Sequence, residues 1–345
     1  MTVPGDVTEP AADASQPSIV GVVGCGVTGG RVVGRIASLG HRVAVFDVLR
    51  GNAVASARRV GGVVVDAVHD LTACDVVVLC HPTPHAELAA QFLRDGTPVV
   101  SISDDVDDLH SLMAMTDLTR RHQAALVVGA GMAPGLSGLL ARYLADQLDQ
   151  LDELHVAIHG TAGPACARQH HDALGTNSHA WHDGQWAETP GGSGRDLVWF
   201  PEPVEAHDCY RAALGDPLLL HHAFPDVLRI SARVSATRRD RLTARLPMLT
   251  PPHSDGDLGA VRVEARGAAA DGARVTLIAG AAAPTAELAA VVAAAVASRV
   301  AAIGLAPGVH TPGGESLSGL ELLHHATSLG VRVQEFTGVP RATAW

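Results

Sequence analysis

Gly24, Gly26 and Gly29 stand in the run Gly24-Cys25-Gly26-Val27-Thr28-Gly29, and that spacing can cradle the pyrophosphate of a dinucleotide. The first glycine permits a tight turn out of a strand, the second lets backbone approach an anion, and the third lets a helix pack close to a sheet. The following helix would offer unpaired N–H groups to the phosphates. Cys25, Val27 and Thr28 belong to the same loop and are expected beside the cofactor. Asp47 ends the next apolar run, where a carboxylate can bind a ribose diol and repel the extra phosphate of NADP. NAD is therefore expected. Arg50, three residues on, keeps NADP open because a guanidinium can take that phosphate.

A second group, His81, Pro82 and Thr83, closes another apolar run and is expected to face the nicotinamide ribose. His85 reads equally as a site residue or as a histidine beside a helix N-terminus. Asp104 and Asp105 can meet a substrate, although helix capping should claim at least one of them. The densest chemistry runs from His159 through Arg168 to His170 and His171. Arg168 can clamp a carboxylate in bidentate fashion. Histidine as a residue type ordinarily titrates near neutral pH, so His159, His170 and His171 are the candidates to carry the proton that accompanies hydride transfer. The plain alternative for this segment is a surface helix with solvated histidines.

Cys166 and His170 have i, i+4 spacing and could share a helix face as metal ligands. No HExxH or CxxC accompanies them, so no metal is expected. The chain contains no lysine at all; its 25 basic residues are all arginine. That excludes Schiff-base catalysis by this chain, a lysine base, a P-loop and a Tyr/Lys pair.

These residues need elements to hold them. Residues 18–23 read as a buried strand, 29–39 as a helix and 42–46 as a second strand. Further strands are expected at 62–65, 75–80, 98–101 and 125–128, with a helix near 85–94. Strands alternating with helices imply right-handed βαβ units and a parallel, doubly wound Rossmann sheet. Beyond Gly131 the texture changes. A helix at 136–148 leaves the sheet, and strands at 154–159, 227–236, 261–265, 275–279 and 330–336 suggest a second α+β domain on a mixed or antiparallel sheet. A long helix covers 284–303.

The expected organisation is thus an α/β chain with a disordered tail at 1–17, a dinucleotide domain at 18–135 and a substrate and dimerisation domain at 136–345. Within the last, 305–345 can pack back on the first domain. A net charge of −11 without a long basic cluster argues against nucleic acid. Five cysteines lacking CxxC spacing suit a reducing cytoplasm, and the N-terminus lacks the pattern of a signal peptide. The Ala-rich stretch near 281–303 carries Glu287 and Arg299, which favours a buried helix over a membrane span.

The chain resembles the saccharopine dehydrogenase-like family of amino-acid and imine oxidoreductases. The resemblance rests on Gly24-x-Gly26-x-x-Gly29, on Gly129-Ala130-Gly131-Met132-Ala133-Pro134-Gly135-Leu136, and on Gly308-Val309-His310-Thr311-Pro312 after a long helix. It implies a Rossmann domain joined to a mixed-sheet domain, with nicotinamide-dependent chemistry at a carbon bearing nitrogen. It also implies that Gly131 and Met132 lie beside the nicotinamide. Some members pair a lysine with a histidine for proton transfer, so here His159, His170 or His171 would have to serve. A weaker likeness to sugar oxidoreductases around Thr83-Pro84-His85 lacks the Glu-Lys-Pro motif of that group.

The resulting expectation is an NAD(P)-dependent oxidoreductase acting on a small amino acid, imine or related oxo acid that bears a carboxylate for Arg168 to clamp, and working as a homo-oligomer. A non-catalytic nucleotide sensor on the same fold is the alternative.

Overall fold

The computed structural model describes residues 17–248 and 256–336. The tail expected at 1–17 lies outside them except for its last residue. The first half alternates as its apolar runs require: β1 (Ile19–Val23), α1 (Gly29–Ser38), β2 (Arg42–Phe46), α2 (Arg50–Val60), β3 (Val63–Val64) and β4 (Val76–Leu79). α3 (Ala86–Arg94), β5 (Val99–Ser101), α4 (Val106–Met113), α5 (Thr116–Arg121) and β6 (Ala125–Val128) complete it. Six of these strands join a seventh from near the C-terminus, and every pairing is parallel.

The second half contains α6 (Leu136–Ala145), β7 (Gln150–His159), α7 (Pro164–Gly175), β8 (Ser178–His182), β9 (Gln185–Thr189), β10 (Asp196–Trp199) and β11 (Ala206–Arg211). α8 (Asp216–Ala223), β12 (Arg229–Ser235), α9 (Arg238–Thr243), β13 (Leu258–Ala268), β14 (Arg274–Pro284) and α10 (Thr285–Ile303) follow. The described chain closes with β15 (Gly308–His310), α11 (Gly319–Ser328) and β16 (Val333–Glu335).

The first sheet has the order β15-β6-β5-β4-β1-β2-β3. The crossover from β1 to its two neighbours, β2 and β4, creates the crevice where doubly wound folds bind ligands. Buried strands such as Val76–Leu79 read as continuous apolar runs because helices cover both faces. The second sheet has nine strands, its main path β10-β11-β12-β7-β13-β14-β16, with β8 beside β12 and β9. It is mixed, since β12 runs parallel to β7 while β13 and β14 are antiparallel.

Helix α10 lies between the two sheets, touching β1, β4 and β5 on one side and β13 and β14 on the other. Ala290, Ala293, Ala294 and Ala297 are fully buried, so small side chains let both layers approach it. This helix is long and apolar enough to cross a bilayer, yet most of it is buried inside the protein.

The sequence reading needs adjustment at several elements. The run at 308–310, described only as a motif, is the parallel edge strand of the first sheet, hydrogen-bonded to β6. The helix expected to end at 148 stops at Ala145. Strands β8 to β11 were absent from the expectation. Their sequences carry His, Trp and charged residues, as in Ser178-His179-Ala180-Trp181-His182, which hide the hairpin of β8 and β9 around Asp183-Gly184 and the pairing of β10 with β11.

Candidate active site

A cavity of about 630 Å³ opens along the carboxyl edge of the first sheet. That volume lies within the ~300–1,000 Å³ typical of ligand sites. One end is floored by Gly24, Gly26, Val27 and Thr28, with Asp47, Val48 and Asn52 beside them. Its middle is walled by His81, Pro82 and Thr83, and the far end by Asp104, Met132, Cys166, Arg168 and His170.

The glycine loop is built for close approach. Gly24 has φ +87°, and a Cβ there would stand 2.5 Å from the His81 nitrogen. At Gly29 a Cβ would collide with the Gly24 carbonyl at 1.8 Å. Gly26 differs, because a Cβ would meet nothing within 4 Å. Its missing side chain therefore serves space in the cavity and not the packing of the chain. Asp47 pins the loop: one carboxylate oxygen accepts from the Cys25 N–H at 2.6 Å and the other from the Leu49 N–H at 2.7 Å. Carboxylate oxygens have spare lone pairs, so this leaves acceptors for a diol. Cys25 and Gly29 lie beneath the loop, outside the cavity lining. Burial pushes the Cys25 thiol up to about 11, with the Asp47 charge adding to it.

Arg50 also stands outside the lining, where it pairs with Asp66 at 2.5 Å. The expectation that it contacts cofactor is thus not met by its observed position. The pair is exposed and holds the guanidinium only weakly.

His85 is almost wholly buried and lines the middle of the cavity. Its Nε2 donates to the His81 carbonyl at 2.7 Å, which leaves Nδ1 to accept from the Ser101 hydroxyl at 2.8 Å. Ser101 Oγ in turn accepts from the Ser103 N–H. Burial lowers the His85 pKa to about 4, with His81 adding to the shift, so the ring is neutral. Asp108 on α4 accepts from the His85 and Ala86 N–H groups and caps α3 from a neighbouring helix. Sequence reasoning missed that role.

At the far end, Asp105 caps α4 by accepting from the Asp108 N–H, which leaves Asp104 to face the cavity. Helix α7 supplies the opposing wall. Its i, i+4 register puts Cys166 and His170 on one face, with Sγ and Nε2 3.8 Å apart. His170 Nε2 is also 3.7 Å from an Asp104 carboxylate oxygen. Burial alone would lower the His170 pKa, but the Cys166 sulfur and the Asp104 carboxylate outweigh it and hold it well above 6.5. Asp216 lies nearby, and burial pushes its carboxyl up to about 6.

Two of the expected histidines point elsewhere. His171 is buried and donates through Nε2 to the Leu246 carbonyl. His159 lies on the second sheet, stacked against His207 and bonded to Ser235, and burial lowers its pKa to about 4. Neither lines the cavity. His171 begins the part of the α7 surface that turns from the cavity to the Leu246 carbonyl, and strand alternation puts His159 on the face of β7 opposite Ile158.

The turn Gly131–Gly135 closes the cavity roof. The Gly131 N–H donates to the Pro134 carbonyl, and the Leu136 N–H donates back to the Gly131 carbonyl. Gly135 has φ +138°, and a Cβ there would strike the Gly131 carbonyl at 2.0 Å, so the turn admits no other residue.

Fold and cavity together define a two-sheet α/β protein with a Rossmann ligand crevice. No protein-family model matches the chain, and no curated protein matches it. Among solved structures, the apo saccharopine dehydrogenase (L-Glu forming) from Saccharomyces cerevisiae is similar at 15% identity and a TM-score of 0.70, covering 92% of this chain and 100% of that one. GenD2 from gentamicin A biosynthesis, in complex with NAD, aligns at 16% identity and a TM-score of 0.48, covering 96% and 99%. A meso-dapdh variant with DAP, from Clostridium tetani, aligns at 15% identity and a TM-score of 0.48, covering 85% and 93%. The chain shares the fold of saccharopine dehydrogenase, which bears out the sequence resemblance at the level of fold.

Proposed function

We propose that the protein is an NAD(P)-dependent oxidoreductase acting on a small amino acid, imine or related oxo acid. The observation that carries this reading is Gly26: a cradle left empty by a residue whose side chain the fold itself would tolerate. The loop Gly24–Gly29 would hold the pyrophosphate, Asp47 the adenosine ribose, and His81 to Thr83 with Gly131 and Met132 the nicotinamide end. NAD is favoured over NADP because Asp47, just after β2 and bonded to the glycine loop, would bind a ribose diol and repel a 2′-phosphate. A bound nicotinamide supplies or accepts the hydride.

The chain's own groups do the rest. Arg168, exposed at the mouth, would anchor a substrate carboxylate. Of the three histidines read as candidates, we assign His170, which with Asp104 and Cys166 faces the reacting atom and manages the charge that develops there. The two walls orient substrate against cofactor, which supplies much of the rate in such clefts. The free thiols suit a reducing compartment such as the cytoplasm.

The test is titration of NADH and NADPH by fluorescence into the parent protein and Gly26→Ala. The variant should keep the parent's melting temperature yet bind NADH at least about tenfold more weakly, a loss of roughly 1.4 kcal/mol. Failure of the parent to bind either nucleotide, or equal binding by the variant, would overturn the reading.

A further inference from the structure

We propose that Asp104, Cys166 and His170 form a mononuclear zinc site spanning the cleft, with one coordination position open to the cavity. The three donor atoms, a carboxylate oxygen, Sγ and Nε2, all lie within 4.8 Å of one another. The 3.8 Å contact between Cys166 Sγ and His170 Nε2 is a hydrogen bond of the length sulfur makes, which a bound ion would replace. His170 Nε2 stands 3.7 Å from the Asp104 oxygen, beyond the ~2.7–3.2 Å of an N–H···O bond. Bonds of about 2.0–2.3 Å at tetrahedral angles put donor atoms roughly 3.3–3.6 Å apart, close to the 3.7 and 3.8 Å found here. One ring nitrogen thus faces both other donors across a gap that an ion would fill.

The chemistry of the set agrees. A thiolate and a carboxylate neutralise a dication, and mixed S, N and O donors suit zinc rather than magnesium or calcium. Three protein ligands with a vacancy are the pattern of a catalytic site; structural sites close with four. The donors come from both walls, Asp104 from the edge of β5 and the other two from α7, so the ion would also tie α7 to the first sheet. The open position would take an oxygen or nitrogen of the substrate, anchoring and polarising it. This catalytic use rests on the reading of the cavity as a nicotinamide site; the binding of metal does not. The site revises the sequence expectation that no metal is held, which relied on the lack of HExxH and CxxC. Asp104 lies 62 residues before Cys166, and no local motif contains such a set.

The experiment uses tag-free, full-length protein stripped with chelator. Cobalt(II) is titrated by absorbance and zinc by calorimetry, with NADH titrated in parallel. The expected result is one ion per chain, with a thiolate-to-cobalt charge-transfer band in the near ultraviolet. Cys166→Ala should abolish that band. His170→Ala and Asp104→Asn should each weaken binding more than about tenfold, because even outer-shell partners are worth that much. Unchanged circular dichroism shows that each variant is folded. If the parent binds no stoichiometric ion, or Cys166→Ala keeps the band, the inference is overturned. NADH binding without metal would sink this proposal alone, and metal binding without NADH would sink the nicotinamide reading alone.

Discussion

At the scale of single residues, the contrast between His85 and His170 shows how position decides the protonation of two identical side chains. His85 is buried in the cavity wall with both ring nitrogens engaged, Nε2 on the His81 carbonyl and Nδ1 on the Ser101 hydroxyl. In the unfolded chain it would titrate near 6.5, whereas the folded value is about 4. Between those values the unfolded chain binds more protons, so this residue's contribution to stability is present above pH 6.5 and is lost as pH falls toward 4. The window is worth up to about 3 kcal/mol. In His85→Gln that contribution should vanish, and the slope of urea-unfolding stability between pH 6.5 and 4 should flatten by comparison with the parent. An unchanged slope would show that His85 protonates freely in the folded protein. The glycine loop was legible as the turn from β1 into α1 because its backbone shape is encoded by six consecutive residues. Asp104 was legible only as one of two options. Asp104-x-x-Asp107 and Asp105-x-x-Asp108 have the same spacing, so only the observed bond from the Asp108 N–H singles out Asp105 as the cap. The turning away of His159 and His171 depended on which face of β7 or α7 met the cleft, and that is a tertiary fact.

At the scale of elements, α10 is the part on which both layers depend. Its alanines are not filler: with β1, β4 and β5 on one side and β13 and β14 on the other, a larger side chain has no free volume to enter. Ala293→Leu should cost about 1–3 kcal/mol by overpacking, against near neutrality for the exposed Ile303→Leu at the helix end. Thermal denaturation of the two variants checks this; equal melting points would mean that the helix lies loosely between the sheets. The parallel sheet was readable because each strand is a short apolar run closed by a turn and followed by a helix. The mixed sheet was readable only in part. Strand β13 pairs along its length with β7, more than 100 residues earlier by the register His159↔Ala260, and its apolar alternation shows through. Strands β8 to β11 carry histidine, tryptophan and charge, and the three-residue β15 is too short to display any period.

For the whole molecule, the consequence of this architecture is that one ligand can report on both halves. The cavity takes its floor from the first sheet and its opposite wall from α7, and a Cβ on Gly163 at the start of that helix would come within 3.0 Å of Val27 in the glycine loop. Thr285 and Ala289 of α10 line the same space. A dinucleotide lying there would contact all three, and it binds the folded chain alone. At a concentration one hundred times its dissociation constant it should stabilise the fold by about 2.7 kcal/mol. The gain should appear as a rise in melting temperature with NADH for the parent, and at tenfold weaker binding Gly26→Ala should keep at most about half of it, roughly 1.4 kcal/mol, at the same concentration. Hydrogen exchange then separates two modes of binding. Slower exchange in the first turns of α7 as well as in the glycine loop is expected if the ligand bridges the cleft. Protection confined to residues 24–29 would mean that the nucleotide rests on the first sheet alone, and the assignment of α7 as the catalytic wall would fall with it.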